Sequence, residues 1–446
     1  MAGVDVQVAP HTSFVELKRL QLGDAVKKHR LIVLFFVTAV AQRDTIEMVR
    51  RLELVYFDAG GGHRAAANAL REVMERERRP FDIQSMNLQE LLDSMDVFRQ
   101  LTGLRLQDVY NLMLKKGWTL GSPQLMMGMH LVIRLFHRKQ VRVLEAHWRE
   151  SRPDLVVSLV PNFNRAIGES LRRAAPATPL VTILTDLADY PPHFWIEREA
   201  QYFICGSERA VEQARAMGHA PDRILRASGM ILSPRFYEIP PLSVEERAAA
   251  RQALGLDPAT PVGLVLFGGQ GAEVMLDIAR RLPDRQLILI CGHNQKLRAR
   301  LEQMTQLPRR ASVFIEGFTK EIPRYMQLAD YFIGKPGPGS ISEAVFMHLP
   351  VIVNCNAWTL PQERYNAVWV REQGVGIVLE NFRRVHSAVD QLLDPTAYAS
   401  FRAATEAQQN RAVFEIPDLL ERVLRSSSEG HKTCRPDGVS KHSELC

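Results

Sequence analysis

Eight short apolar runs rich in β-branched residues lie along the chain: Leu52 to Phe57, Leu155 to Val160, Leu180 to Leu184, Tyr202 to Cys205, Gly263 to Phe267, Leu287 to Cys291, Tyr331 to Ile333 and Val351 to Asn354. Longer stretches with helical spacing separate them. Most of the runs are continuously apolar rather than alternating, as expected of strands covered by helices on both faces of a sheet. Strand and helix in alternation predict an α/β fold built of parallel layers.

Between Ser233 and Thr260 the prolines 234, 240, 241 and 258, with Pro261 immediately after, cluster around one helical stretch, Val244 to Leu254. Prolines at this density stop elements and stiffen connections. The expected division is an amino-terminal extension over 1–47, a first domain over 48–232, a linker over 233–244, a second domain over 245–425 and a polar, disordered tail over 426–446. The apolar run from Leu31 to Ala41 follows Lys27, Lys28, His29 and Arg30 but falls short of the about 20 residues that span a bilayer. It reads as an ordinary helix or unstructured extension, with the apolar part of a signal peptide as the alternative.

A net charge of +6, with 24% charged and 46% hydrophobic residues, is that of a soluble globular chain, and no block of like charge points to nucleic acid. The five cysteines have no close spacing, so neither a disulfide framework nor a zinc site is expected, and a reducing cytoplasm is the default setting. Charge changes the picture in one place. Arg134, Arg138, Lys139, Arg142, Arg149 and Arg152 interleave with Leu131, Ile133, Leu135, Phe136, Val141, Val143 and Leu144. The pattern suits a helix near anionic headgroups, or a solvated basic face on a core-packed helix. It closes a long stretch from Leu88 that holds Met113, Met126, Met127 and Met129, either core or an adaptable apolar surface.

Candidate chemistry collects where strands run into helices. After the first run come Gly60, Gly61, Gly62, His63 and Arg64; the glycines allow close backbone approach, and His63, at a strand's carboxyl end, is a candidate general base. The alternative is a histidine that merely caps or packs. Gly268, Gly269, Gln270 and Gly271 repeat the device in the second domain. Lys335, Gly337, Gly339 and Ser340 then open a helix whose amides suit a diphosphate, and Glu343, one turn in, suits ribose hydroxyls or else simply complements the helix dipole. Gln362, Glu363 and Asn366 offer the donors and acceptors that sugar hydroxyls need.

The order of these loops resembles that of the monogalactosyldiacylglycerol synthases and processive diacylglycerol glucosyltransferases, a branch of glycosyltransferase family 28, over most of residues 50 to 380. The loop with His63 and Arg64 resembles that family's acceptor-side loop. Leu184, Thr185 and Asp186, with His193 and Trp195 beyond, resemble its Thr-Asp and His-x-x-Trp region. Gly292 with His293, and Gly317 with Phe318, resemble the base-binding region, and Lys335 to Glu343 with Gln362, Glu363 and Asn366 resemble the donor core. These three polar positions are also similar to those of the bacterial enzyme that adds N-acetylglucosamine to the lipid-linked muramyl peptide. Gln270 and Trp358 to Pro361 depart from the family pattern, so the sugar is not legible. The resemblance implies a GT-B fold, two Rossmann-like domains facing across a cleft, and an inverting transfer from a UDP-sugar to diacylglycerol or a related lipid. It also implies a peripheral position on the inner face of an anionic membrane.

On this reading His63 is the first choice for base and Asp186 the second. No metal is expected, since Asp186 and Asp189 form no Asp-x-Asp pair and amides can replace a cation electrostatically. The rival readings are a UDP-sugar epimerase on the same architecture and a nucleotide-sugar-binding protein without catalysis.

Overall fold

The computed structural model describes residues 49–58, 61–92, 133–305 and 310–432. The expected extension over 1–47, Gly60, the methionine-rich part of the insertion over 93–132 and the tail beyond 432 lie outside the described residues. Two six-stranded sheets, parallel throughout, carry the fold. The first holds β1 (Arg50–Tyr56), β2 (Phe81–Asn87), β3 (Leu155–Ser158), β4 (Leu180–Ile183), β5 (Tyr202–Cys205) and β6 (Ile224–Arg226), in the order β2-β1-β3-β4-β5-β6. The second holds β7 (Val262–Leu266), β8 (Gln286–Ile290), β9 (Val313–Glu316), β10 (Tyr331–Gly334), β11 (Val351–Asn354) and β12 (Gly376–Leu379), in the order β12-β11-β10-β7-β8-β9. Both sheets belong to one compact unit that begins at Arg50.

Each order reverses once, between β1 and β3 and between β7 and β10. At such a point the loops leaving the strands diverge to opposite faces and open a crevice at the carboxyl ends, where open α/β sheets bind ligands. The loops that carry His63 and Lys335 leave from these two points.

The central strands β3, β4, β7 and β8 are buried along their whole length, which explains their largely apolar character. The helix Gly62–Arg76 packs Ala66, Ala67, Ala69, Leu70, Val73 and Met74 into the first core, the alanines allowing close approach to the sheet. Each large side chain buried there contributes roughly 1.5 to 3 kcal/mol.

The domain division needs two corrections. The helix Ala412–Lys432 runs through the expected start of the tail at Ser426, and it packs Ala412, Val413, Ile416, Leu420 and Val423 into the first core rather than the second. Chain order alone assigns this segment to the second domain, because nothing in its own spacing says which sheet it meets. Arg79 fastens it from outside through Asp418 at 2.5 Å and Glu421 at 3.1 Å. Leu232, Phe236 and Leu242 lie against the second core, so much of the expected linker is part of that domain. Where the chain returns to the first sheet, Asn410 Nδ2 donates to the Met230 carbonyl (2.9 Å) and the Arg411 amide to Ser228 Oγ (2.7 Å).

Candidate active site

On the second sheet, three loops meet at the carboxyl ends of β7, β8 and β9. The His293 amide donates to the Gly269 carbonyl at 2.8 Å. Gly292, at φ +58°, lies so close that a Cβ there would stand 2.1 Å from that same oxygen, so the contact requires glycine. Gly268 and Gly271 also have positive φ, with Gln270 exposed between them. Phe318, 53% exposed, stacks on the His293 ring with centroids 3.9 Å apart and planes 17° apart, leaving a flat apolar shelf. The resemblance places His293 beside Gly292 in the base-binding region, and the stack gives its ring a part in the shelf.

Beyond β10, Lys335 Nζ lies 2.8 Å from Glu363 Oε1. The helix Pro338–Phe346 begins with proline, which lacks an N–H, and the first-turn amides of Gly339 and Ser340 have no carbonyl within the helix to bond. Glu343 is half-buried on this helix, and burial alone pushes its carboxyl up to about 7. A buried carboxyl with no compensating cation is a poor stabiliser and a good waiting acceptor. Asn366 is fully buried; its Nδ2 donates to the Pro336 carbonyl (2.9 Å), while its Oδ1 has no partner. Gln362 and Glu363 precede it on the helix Pro361–Glu372.

On the first sheet, Gly61 at φ +80° makes the turn from β1 into the helix that begins at Gly62. His63, half-buried in the first turn of that helix, reaches across the carboxyl end of β3, and its Nδ1 lies 3.0 Å from Thr185 Oγ1. Burial lowers the ring to about 4, against an opposing hydrogen bond to the Leu159 carbonyl, so His63 is neutral at pH 7. The Trp195 ring packs beside it at 5.8 Å between centroids, and Trp195 Nε1 donates to Asp186 Oδ2 at 2.9 Å. Burial raises Asp186 to about 7; the Trp195 hydrogen bond and Lys335 work against this, and Glu363 and Asp189 add to it.

The effect of Lys335 and Glu363 on Asp186 comes from the opposite domain. The structure therefore gathers His63, Thr185, Asp186 and Trp195 on the first domain and sets Asp186 within electrostatic reach of Lys335 and Glu363 on the second.

Other candidates go elsewhere. Arg64 is exposed and pairs with Asp58 at 2.8 Å, an arrangement worth little energetically. His193 lines a cavity of about 480 Å³ with Arg134, Arg138, Asn162, Arg165 and Glu197. The basic stretch is an amphipathic helix, His137–Ser151, with Val141, Leu144 and Trp148 buried in the core. Those three apolar residues are thus occupied, while Arg138, Arg142 and Arg149 face outward and Leu135, just before the helix, is exposed.

Asp189, considered from sequence only as half of a metal pair, accepts from the amides of His193 (3.0 Å) and Trp195 (2.6 Å) and so shapes the loop that delivers Trp195. Among the described residues, no group of three His, Cys, Asp or Glu side chains is arranged to hold a metal ion. No described helix is long and apolar enough to cross a membrane.

Residues 263–423 match the Glycosyltransferase family 28 C-terminal domain. A probable monogalactosyldiacylglycerol synthase 2, chloroplastic, of Oryza sativa subsp. indica is 29% identical over 390 residues, 80% of this chain and 77% of that protein. The monogalactosyldiacylglycerol synthase, chloroplastic, of Spinacia oleracea is 27% identical over 417 residues, 85% of this chain and 73% of that one. Among solved structures, Acinetobacter baumannii MurG is similar with a TM-score of 0.52 at 12% identity, over 84% of this chain and 99% of that one. The calicheamicin glycosyltransferase CalG4 gives 0.51 at 15% identity over 87% and 99%. A putative UDP-N-acetylglucosamine 2-epimerase from Listeria monocytogenes gives 0.52 at 14% over 88% and 99%. These structures place the fold as GT-B. A transferase and an epimerase share it, so the reaction has to be argued from the site.

Proposed function

We propose that the chain, which is similar to glycosyltransferase family 28 and to the monogalactosyldiacylglycerol synthases, transfers a hexose from a UDP-sugar to a hydroxyl of diacylglycerol or a related membrane lipid, with inversion at the anomeric carbon. The observation that carries the reading is the opposition across one cleft: a neutral histidine on one wall, a lysine and an open helix amino terminus on the other. The uracil would rest on the Phe318–His293 shelf, and the ribose hydroxyls would donate to Glu343. The Gly339 and Ser340 amides, with Lys335, would hold the diphosphate. Glu363, Gln362 and Asn366 would meet the sugar hydroxyls.

In the reaction His63 takes the proton of the acceptor hydroxyl while its oxygen bonds to the anomeric carbon. The bond from that carbon to the diphosphate breaks, and its electron pair leaves with UDP, where helix amides and Lys335 stabilise the charge. Attack by the acceptor oxygen on the face opposite the departing diphosphate would invert the anomeric centre. Positive charge for the leaving group comes from the protein, so the proposal assigns no metal to it.

Purified protein incubated with a panel of UDP-sugars and vesicles containing diacylglycerol tests the reading. A glycosyl-diacylglycerol of anomeric configuration opposite to the donor is expected. Epimerised donor, or free sugar without any lipid product, would remove it.

A further inference from the structure

His63 can act as a base only if one ring nitrogen carries its proton towards the protein and the other turns a lone pair to the acceptor. Two polar groups of the protein address the ring. One is the Leu159 carbonyl, which can only accept, so an accepting Thr185 would have to share the ring's single N–H with it at Nδ1. The other is Thr185 Oγ1, 3.0 Å from Nδ1, which can accept or donate. A threonine that donated to Nδ1 would occupy the lone pair the reaction needs; one that accepts leaves Nε2 available.

Thr185 immediately follows the strand end at Leu184 and precedes Asp186, whose carboxylate holds the Trp195 indole packed beside the same ring. One short segment after β4 therefore controls both the edge and the flank of the histidine.

We propose that Thr185 is a positioning residue for His63: its Oγ1 accepts the Nδ1–H, fixes that tautomer and leaves Nε2 as the nitrogen that receives the acceptor proton. The inference rests on the reading of His63 as base, and it assigns to a neutral hydroxyl the orienting task that a carboxylate performs in many catalytic dyads. A hydroxyl orients the ring without adding a negative charge beside it, so the imidazole stays neutral in this buried setting.

The ring nitrogens give a readout independent of the acceptor. In full-length protein labelled with 15N-histidine, the His63 signals, identified by their loss in His63→Gln among the 13 histidines, should show the Nδ1–H tautomer. In Thr185→Val the Nε2–H form should grow. With UDP affinity and donor KM unchanged as controls for folding, Thr185→Val should lose roughly 10- to 100-fold in kcat, the scale of one buried hydrogen bond, and Thr185→Ser should recover most of it. A wild-type ring in the Nε2–H form, a Thr185→Val enzyme as fast as wild type, or a Thr185→Ser enzyme no better than Thr185→Val would each overturn the assignment. Wild-type protein that transfers nothing to lipid would instead remove the proposed acceptor, while the nitrogen signals still decide the tautomer.

Discussion

The two walls of the cleft are prepared in opposite ways. On the second sheet Lys335 pairs with Glu363, but other polar groups are under-committed: half-buried Glu343 has no cation acting on it, Asn366 Oδ1 lacks a partner, and the amides of Gly339 and Ser340 have no carbonyl within their helix. On the first sheet they are tied to one another, His63 to Thr185, Trp195 to Asp186, and the loop amides to Asp189. Groups left unsatisfied in the free protein cost stability and are recovered when a ligand with complementary hydroxyls and phosphates arrives. Groups that satisfy each other hold a geometry. The contrast teaches a division of labour: one wall binds a polar donor, and the other keeps a base aimed at an acceptor whose single reacting hydroxyl asks little polar recognition of it.

The contrast breaks most visibly at the base. His63→Ala should retain UDP affinity, since the donor groups lie on the other sheet, yet lose roughly 100- to 10,000-fold in turnover at saturating donor. Near-normal turnover would end the assignment. Asp186→Asn then decides between the two candidates, because asparagine still accepts from Trp195 Nε1 but cannot take a proton. A modest loss leaves Asp186 a support for Trp195, and a loss as large as that of His63→Ala makes the carboxylate the base.

A smaller effect sharpens the other wall. Glu343→Ala should weaken UDP binding about 10- to 150-fold, the equivalent of one charge-assisted acceptor lost, as calorimetry can measure. Stability should move the other way. Burial raises the Glu343 carboxyl from an ordinary value of 4.5 to about 7. Between those values the folded protein keeps a proton that the unfolded chain has lost, so stability falls as pH rises through this window and the cost is complete above it. Glu343→Gln removes the cost, so its melting temperature should exceed that of wild type at pH 8 and approach it at pH 5. Equal melting temperatures at pH 8 would mean that the carboxyl is not held waiting.

Legibility in the sequence followed burial. The eight central strands were announced by largely apolar runs because both of their faces are covered. The four that were not, β2, β6, β9 and β12, are the four edges of the two sheets. β2 is mostly open on both faces and β6 has three residues, while β9 and β12 are only half-buried, so none accumulates a continuous run. Glycine loops and Lys335 were readable because backbone approach to a ligand demands particular residue types at particular spacings. Thr185 and His293 were harder to see. Their roles come from a contact 122 residues apart or from a ring stacked on another loop's phenylalanine, and nothing in local spacing encodes such a meeting. The basic stretch was ambiguous for a related reason: amphipathic spacing states that one face is apolar without saying whether protein or lipid covers it, and Val141, Leu144 and Trp148 are covered by protein.

That outcome leaves the smallest prediction to the basic face alone. Arg134 and Arg138 line the cavity beside His193, on the domain that carries the base, and neighbouring Leu135 is 71% exposed. If this side approaches the lipid that holds the acceptor, attraction must come from charge rather than from buried apolar area, and each arginine near an anionic surface contributes up to about 1 kcal/mol. The paired substitution Arg134→Ala with Arg138→Ala should therefore weaken sedimentation with anionic vesicles roughly 5- to 30-fold at low ionic strength. The difference should shrink in high salt, where screening removes it, and binding to uncharged vesicles should not change. Binding equal in wild type and variant would place the membrane-facing surface elsewhere on the molecule, and the two walls would then differ in chemistry without differing in what they face.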